Sequence, residues 1–196
     1  MKKKVGKNFL IENYSKCFQF FKISKPYILF ASILFFSIAI IGFIFPIFFR
    51  EEIIKIMTNM TKLLENKGNF ELIYLIFFNN LKASFMAMIL GFGIAIFPIV
   101  TAVINGYVIG FISREVVSNE GFIVLWQLLP HGIFEIPAIL LSIGIGIKIG
   151  TDIFKKNAKK ELKKNIVEGL RFFIFIIFPL LLIAGIIEGT LIFLLS

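Results

Sequence analysis

A single cysteine, Cys17, in 196 residues rules out any disulfide within the chain. A single histidine, His131, is as restrictive, because a zinc hydrolase needs about three protein ligands plus a base, as in His-Glu-x-x-His on one helix. No Ser-His-Asp set, phosphate-binding loop or dinucleotide fingerprint is visible, so no catalytic set, metal or cofactor is expected. Acidic residues are also scarce, 12 against 21 bases. The bases flank apolar runs, which points to anionic lipid head groups as partners and away from nucleic acid. Apolar residues are abundant, 58% of the chain with 26 phenylalanines. That composition predicts an all-α integral membrane bundle of about five spans, with broken helices and interfacial amphipathic helices.

Residues 1–25 carry Lys2, Lys3, Lys4, Lys7, Lys16, Lys22 and Lys25 against Glu12 alone, and read as a cytoplasmic segment. Leu10, Ile11, Tyr14, Cys17, Phe18 and Phe21 fall at helical spacing. Such a helix either lies on the inner membrane surface or packs on its own bundle. Residues 26–196 then form one transmembrane domain. Pro26 opens a first span that runs uncharged to about Phe49. Arg50 to Glu71 mixes both charge signs, and Ile53, Ile54, Met57, Met60 and Leu64 give it an apolar stripe, which predicts an interfacial helix on the outer side.

Leu72 to Ile112 would reach about 60 Å as one helix, roughly twice the hydrocarbon thickness. Two short spans, broken between Gly91-Phe-Gly93, Pro98 and Asn105-Gly106, are the expected solution, with a re-entrant helix as the alternative. A central span follows from Phe122 to about Ile147, and a last one, interrupted by Pro179 and carrying Glu188, from Phe172 to Leu195. Lys82 and Arg114 are the expected partners for Glu188. Between the last two spans lies the strongest charge run, with Lys155, Lys156, Lys159, Lys160, Lys163 and Lys164 as a lipid-surface patch on an amphipathic helix. Both basic segments should be cytoplasmic, placing the N-terminus on the cytoplasmic side of the cell membrane. Gly106-xxx-Gly110, Gly146-xxx-Gly150 and Gly185-xxx-Gly189 have the spacing that lets helix backbones approach closely.

The costliest stretch to place is Trp126 to Pro137. Pro130 and Pro137 each lack an N–H and would free the carbonyls of Trp126 and Ile133 in a helix. Gln127, His131 and Glu135 recur every fourth residue, continued by Ala138 and Ser142, and form one polar face that should point inward. Depth places Asn105 at the level of His131 and Glu135, so Asn105, Gln127, His131 and Glu135 are the candidate buried cluster. It could hold a broken helix in shape, carry protons or ions, or take part in catalysis.

The run Asn105-Gly106-Tyr107-Val108-Ile109-Gly110, followed by Pro130-His131-Gly132-Ile133-Phe134-Glu135-Ile136-Pro137-Ala138, resembles the signature of the stage II sporulation protein M family. Asn80 and the Gly-rich run ending at Pro98 also fit, and the resemblance spans roughly 79–150. It implies a multi-pass membrane protein whose namesake works with two partner proteins in septal peptidoglycan remodelling during engulfment. The function it implies is a non-enzymatic scaffold for membrane or cell-envelope partners, with other membrane proteins or a second copy as associates. Broken helices and buried polar groups suggest the alternative, a small transporter, channel or lipid-moving protein.

Overall fold

A computed structural model describes the backbone of residues 3–65, 67–92, 95–122 and 125–195, and the side chains of these residues other than 3–8, 120, 125–131 and 195. Seven α-helices follow one another among the described residues: α1 (Lys3–Ile44), α2 (Arg50–Leu64), α3 (Asn69–Ile89), α4 (Ile96–Glu120), α5 (Leu125–Thr151), α6 (Ala158–Phe172) and α7 (Phe178–Leu195). Among the described residues, five helical stretches are long and apolar enough to cross a membrane: Phe9–Ile44, Asn69–Phe92, Ile96–Asn119, Gly132–Phe154 and Ala158–Leu194. The expected all-α bundle of five spans is therefore what the chain forms.

The long apolar run breaks at its glycines. A single 3-10 turn, Leu90–Phe92, ends α3, and Pro98 enters the first turn of α4, where its missing N–H costs nothing. Between them Ala95 takes a left-handed conformation, φ 59°, and gives its N–H to the Gly91 carbonyl at 3.0 Å. An L-residue tolerates that conformation poorly, so the packing around the turn must hold it. The packing is visible: Gly91 and Ala95 both press on the backbone of α5 at Gly146 and Gly150.

Close backbone contact organises the whole bundle. A Cβ added at Gly106 would sit 2.5 Å from the Phe35 carbonyl oxygen, and one at Gly110 would collide with the Ala39 carbonyl, so α4 runs parallel to α1 along its small face. A Cβ at Gly185 would meet Phe77 at 2.9 Å and one at Gly189 would meet Ile73 at 2.6 Å, which sets α7 antiparallel to α3. Gly144 packs on Ile28 in the same way, joining α5 to α1. All three Gly-xxx-Gly spacings in the sequence are thus true helix contacts. In lipid, where burial of apolar surface gives no drive between helices, such close packing supplies the association energy.

α5 is the central element and touches α1, α3, α4 and α7. Every residue from Ser142 to Gly150 is buried. Apolar residues from α1, α3 and α6–α7 close over it, among them Phe20, Met88, Phe172 and Leu181.

Two helices run further than expected. α1 passes through Pro26 without a break, and its first half packs on the bundle: Phe9 and Tyr14 lie against Phe175, while Phe20 and Phe21 lie against Phe172. Of the two placements open for this segment, the contacts select the bundle. α6 also continues into α7, through a π-helical turn at Phe173–Ile177 in which the Phe178 N–H reaches back five residues to the Phe173 carbonyl. Pro179 explains the turn, since it has no N–H for the Phe175 carbonyl, and the wider turn absorbs the mismatch. By contrast, α2 buries only Ile53 and meets the bundle through an Arg50–Glu115 pair at 3.2 Å.

Candidate functional site

The candidate stretch lies on α5, which stays helical through both Pro130 and Pro137. In apolar surroundings helix is the conformation that satisfies the remaining backbone groups, so two lost N–H groups are tolerated. Among the described residues, the atom nearest to a Cβ added at Gly132 is the end of the Ile136 side chain, at 3.5 Å. Further along the same face, Ala138 and Ser142 are fully buried, and the Ser142 hydroxyl donates to the Ala138 carbonyl at 3.0 Å. Glu135 is half-buried on α5, and α7, which carries Glu188, packs against that helix. The side chains of Gln127, Pro130 and His131 lie outside the described residues.

Asn105 is half-buried on α4 and donates its amide N–H to the Thr101 carbonyl at 2.8 Å, within its own helix. Glu188 meets neither of its expected partners. Gly189 packs on Ile73, whereas Lys82 lies nine residues further along α3, about 13 Å away at 1.5 Å per residue. Arg114 instead stacks on the Phe43 ring, 5.6 Å from its centre. One Glu188 oxygen, Oε2, is buried without a hydrogen-bond partner among the described residues.

The other motif residues have packing roles. Gly106 and Gly110 form the α1–α4 contact, and the buried Pro98 touches Gly146 of α5. Asn80 is half-buried on α3. Tyr107, between the two glycines, does something the sequence reading missed: its hydroxyl donates to the Phe45 carbonyl and accepts the Phe48 N–H, each at 2.9 Å. It thereby ties down the end of α1, where the last carbonyls have no helical partner.

A second polar group, also missed, sits at the lysine-rich end. Asp152 is fully buried, and its two oxygens take separate partners: Oδ1 accepts from the Lys155 ammonium and Oδ2 from the Asn165 amide, both at 2.6 Å. Lys148, one turn earlier and also buried, places its ammonium over the Phe20 ring, 5.1 Å from the centre. The hydrogen bond to Asp152 raises the Lys155 pKa above its ordinary value, with partial desolvation opposing. The signal was present as an i, i+4 Lys148–Asp152 pair, hidden in a run that reads as a solvated basic face.

With this geometry in hand, comparison decides the family. A family model described as stage II sporulation protein M matches residues 31–191. The chain belongs to that family. The match extends well beyond the 79–150 stretch and takes in part of α1 and all of α2, α6 and most of α7. Among curated proteins, the stage II sporulation protein M family chain is 34% identical over 138 residues to an uncharacterized protein of Methanocaldococcus jannaschii, covering 67% of this chain and 61% of that one. The chain thus spans about three-fifths of that relative's length. No solved structure matches it.

Proposed function

We propose that this protein is a non-enzymatic scaffold in the cell membrane that holds partner proteins engaged in membrane or cell-envelope remodelling. The carrying observation is the backbone-to-backbone packing at Gly106–Gly110, Gly146–Gly150 and Gly185–Gly189, which fixes five spans in one arrangement and suits a platform better than a moving carrier. The lysine bias supports a cytoplasmic N-terminus and a cytoplasmic α6, with α2 on the outer side. Exposed Ile56, Met60 and Leu63, at i, i+4 and i+7 on one face, then give α2 the character of an amphipathic helix at the outer interface. Lys155, Lys156, Lys159, Lys160, Lys163 and Lys164 hold the opposite end to anionic head groups, at about 1 kcal/mol for each lysine near the surface.

Cross-linking and co-purification from native membranes test the scaffold, which requires stoichiometric partners that are lost when Gly110→Leu opens the bundle. Orientation is tested separately, by thiol labelling in a Cys17→Ser background. A cysteine at position 67 should react only from outside.

A transport or lipid-moving role is the second reading, favoured by two half-buried acids, Glu135 and Glu188, on packed spans and by the unpartnered Glu188 oxygen. Acids within a span mark ion or proton paths elsewhere. Flux in proteoliposomes that vanishes in Glu188→Gln would favour it over the scaffold.

A further inference from the structure

We infer that the groove between α3 and the α6–α7 junction binds one phospholipid from the leaflet on the lysine-rich side, with its phosphate drawn to Lys82 and an acyl chain laid between the helices. The groove has a volume of about 380 Å³, within the range of small-molecule sites. Phe78, Leu81 and Phe85 form one wall and Phe173, Ile174 and Phe178 the other; the surface is apolar throughout, and Lys82 lines it with the aliphatic stem that carries its ammonium. Its shape follows from the sequence. Where glycines face α3, at Gly185 and Gly189, the helices touch. Toward the lysine-rich end phenylalanines face each other, Phe77 with Phe178 at 5.3 Å and Phe85 with Phe173 at 5.4 Å between ring centres, and the groove opens where the π-turn widens α7.

Charge identifies the occupant. Lys82 is exposed within a candidate span, and none of the ion pairs among the described residues includes it. A lysine at the centre of a spanning helix costs about 2.5–3.5 kcal/mol unless it reaches the interface or meets an anion. Lys82 lies seven residues from Ile89, about 10 Å from the end of α3, and its flexible stem covers part of that distance. A phospholipid offers the two things this groove lacks, an apolar chain and an anion attached at interfacial depth. A second copy of this chain matches less well: among the described residues Glu51, Glu52, Glu65 and Glu71 are exposed at the opposite end of the bundle, and the exposed acid at the lysine-rich end, Glu12, is already paired with Lys16.

The test is native mass spectrometry of the full chain in detergent, titrated with phosphatidylglycerol and, in parallel, with a diacylglycerol of the same chains. High salt screens the exposed α6 lysines. One phosphatidylglycerol should be retained per chain, and diacylglycerol should not. Lys82→Ala should weaken retention about tenfold, Lys82→Arg should preserve it, and Leu81→Trp, which fills the groove without touching the charge, should also weaken it. Thermal unfolding of each variant shows that the fold survives. Equal retention by Lys82→Ala and the unaltered protein overturns the inference, as does equal retention of diacylglycerol. A groove-to-groove cross-link between two copies that excludes the lipid overturns it too.

Discussion

The Asn165 amide donates to the Asp152 carboxylate at 2.6 Å, thirteen residues away in sequence, and both side chains are buried to within 1% of completely. Asn165→Leu should therefore leave a buried carboxylate oxygen without its partner and cost about 1–3 kcal/mol. Asn165→Asp should cost more, since two carboxylates would then face each other. Thermal unfolding in detergent ranks the variants, and a neutral Asn165→Leu would mean that α6 is not held by this bond.

The same carboxylate sets a pH dependence. Lys155 has a raised pKa in the folded state because Asp152 accepts its hydrogen bond. Its contribution is then fully present below the unfolded lysine value of about 10.4 and lost as pH rises through the higher folded value. Stability should fall in that alkaline window, and Lys155→Met should flatten the fall. An unchanged pH profile in Lys155→Met would separate the pair from stability.

Tyr107→Phe removes one donor and one acceptor at the end of α1, so Phe45 and Phe48 lose their partners together. At about 0.5–1.5 kcal/mol per bond, the loss should be about 1–3 kcal/mol. Because this corner leads into α2, labelling at α2 positions should also speed up. A melting temperature within error of the parent would show that water replaces the hydroxyl.

Glycines should divide by the room around them. Gly110→Ala forces a methyl into the Ala39 carbonyl and should cost about 1–3 kcal/mol as overpacking, whereas Gly132→Ala meets, among the described residues, only the end of the Ile136 side chain in ordinary contact and should fold normally. Yield of monodisperse protein gives a direct comparison. If Gly132→Ala also misfolds, the role of this glycine lies in its backbone rather than its size.

At Glu135, replacement by glutamine should be milder than replacement by alanine, because the amide keeps an acceptor. The effects of Glu135→Gln and Glu188→Gln should not add, and a coupling above about 0.5 kcal/mol is the expected outcome. Strict additivity in a double-mutant cycle would mean that the two acids do not sense each other.

Much of this fold was legible because membranes impose length and periodicity. Apolar runs too long for one crossing foretold the break near Gly91, and the small-residue spacings foretold the backbone contacts. The polar groups were harder to read. Asp152 and Asn165 stand among lysines, and only tertiary structure shows that they turn inward while their neighbours turn out. Depth alone points Glu188 to Lys82 and Arg114, but the register set by Gly189 on Ile73 carries Lys82 about two and a half turns away. The continuity of α1 through Pro26 was hidden for a related reason: a proline weakens one turn, and aromatic packing of Phe20 and Phe21 on Phe172 outweighs it.

The π-turn at Phe173–Ile177 makes α6 and α7 one rod with two faces out of phase. Each residue of an α-helix turns the chain by about 100°, so the one extra residue held in the π-turn rotates everything beyond it by that angle. α6 can therefore turn Asn165 and Gly169 inward while α7 turns Gly185 and Gly189 toward α3. Deleting one residue from the turn would leave a smoother helix whose glycines faced lipid, with α3 stripped of the surface it packs against.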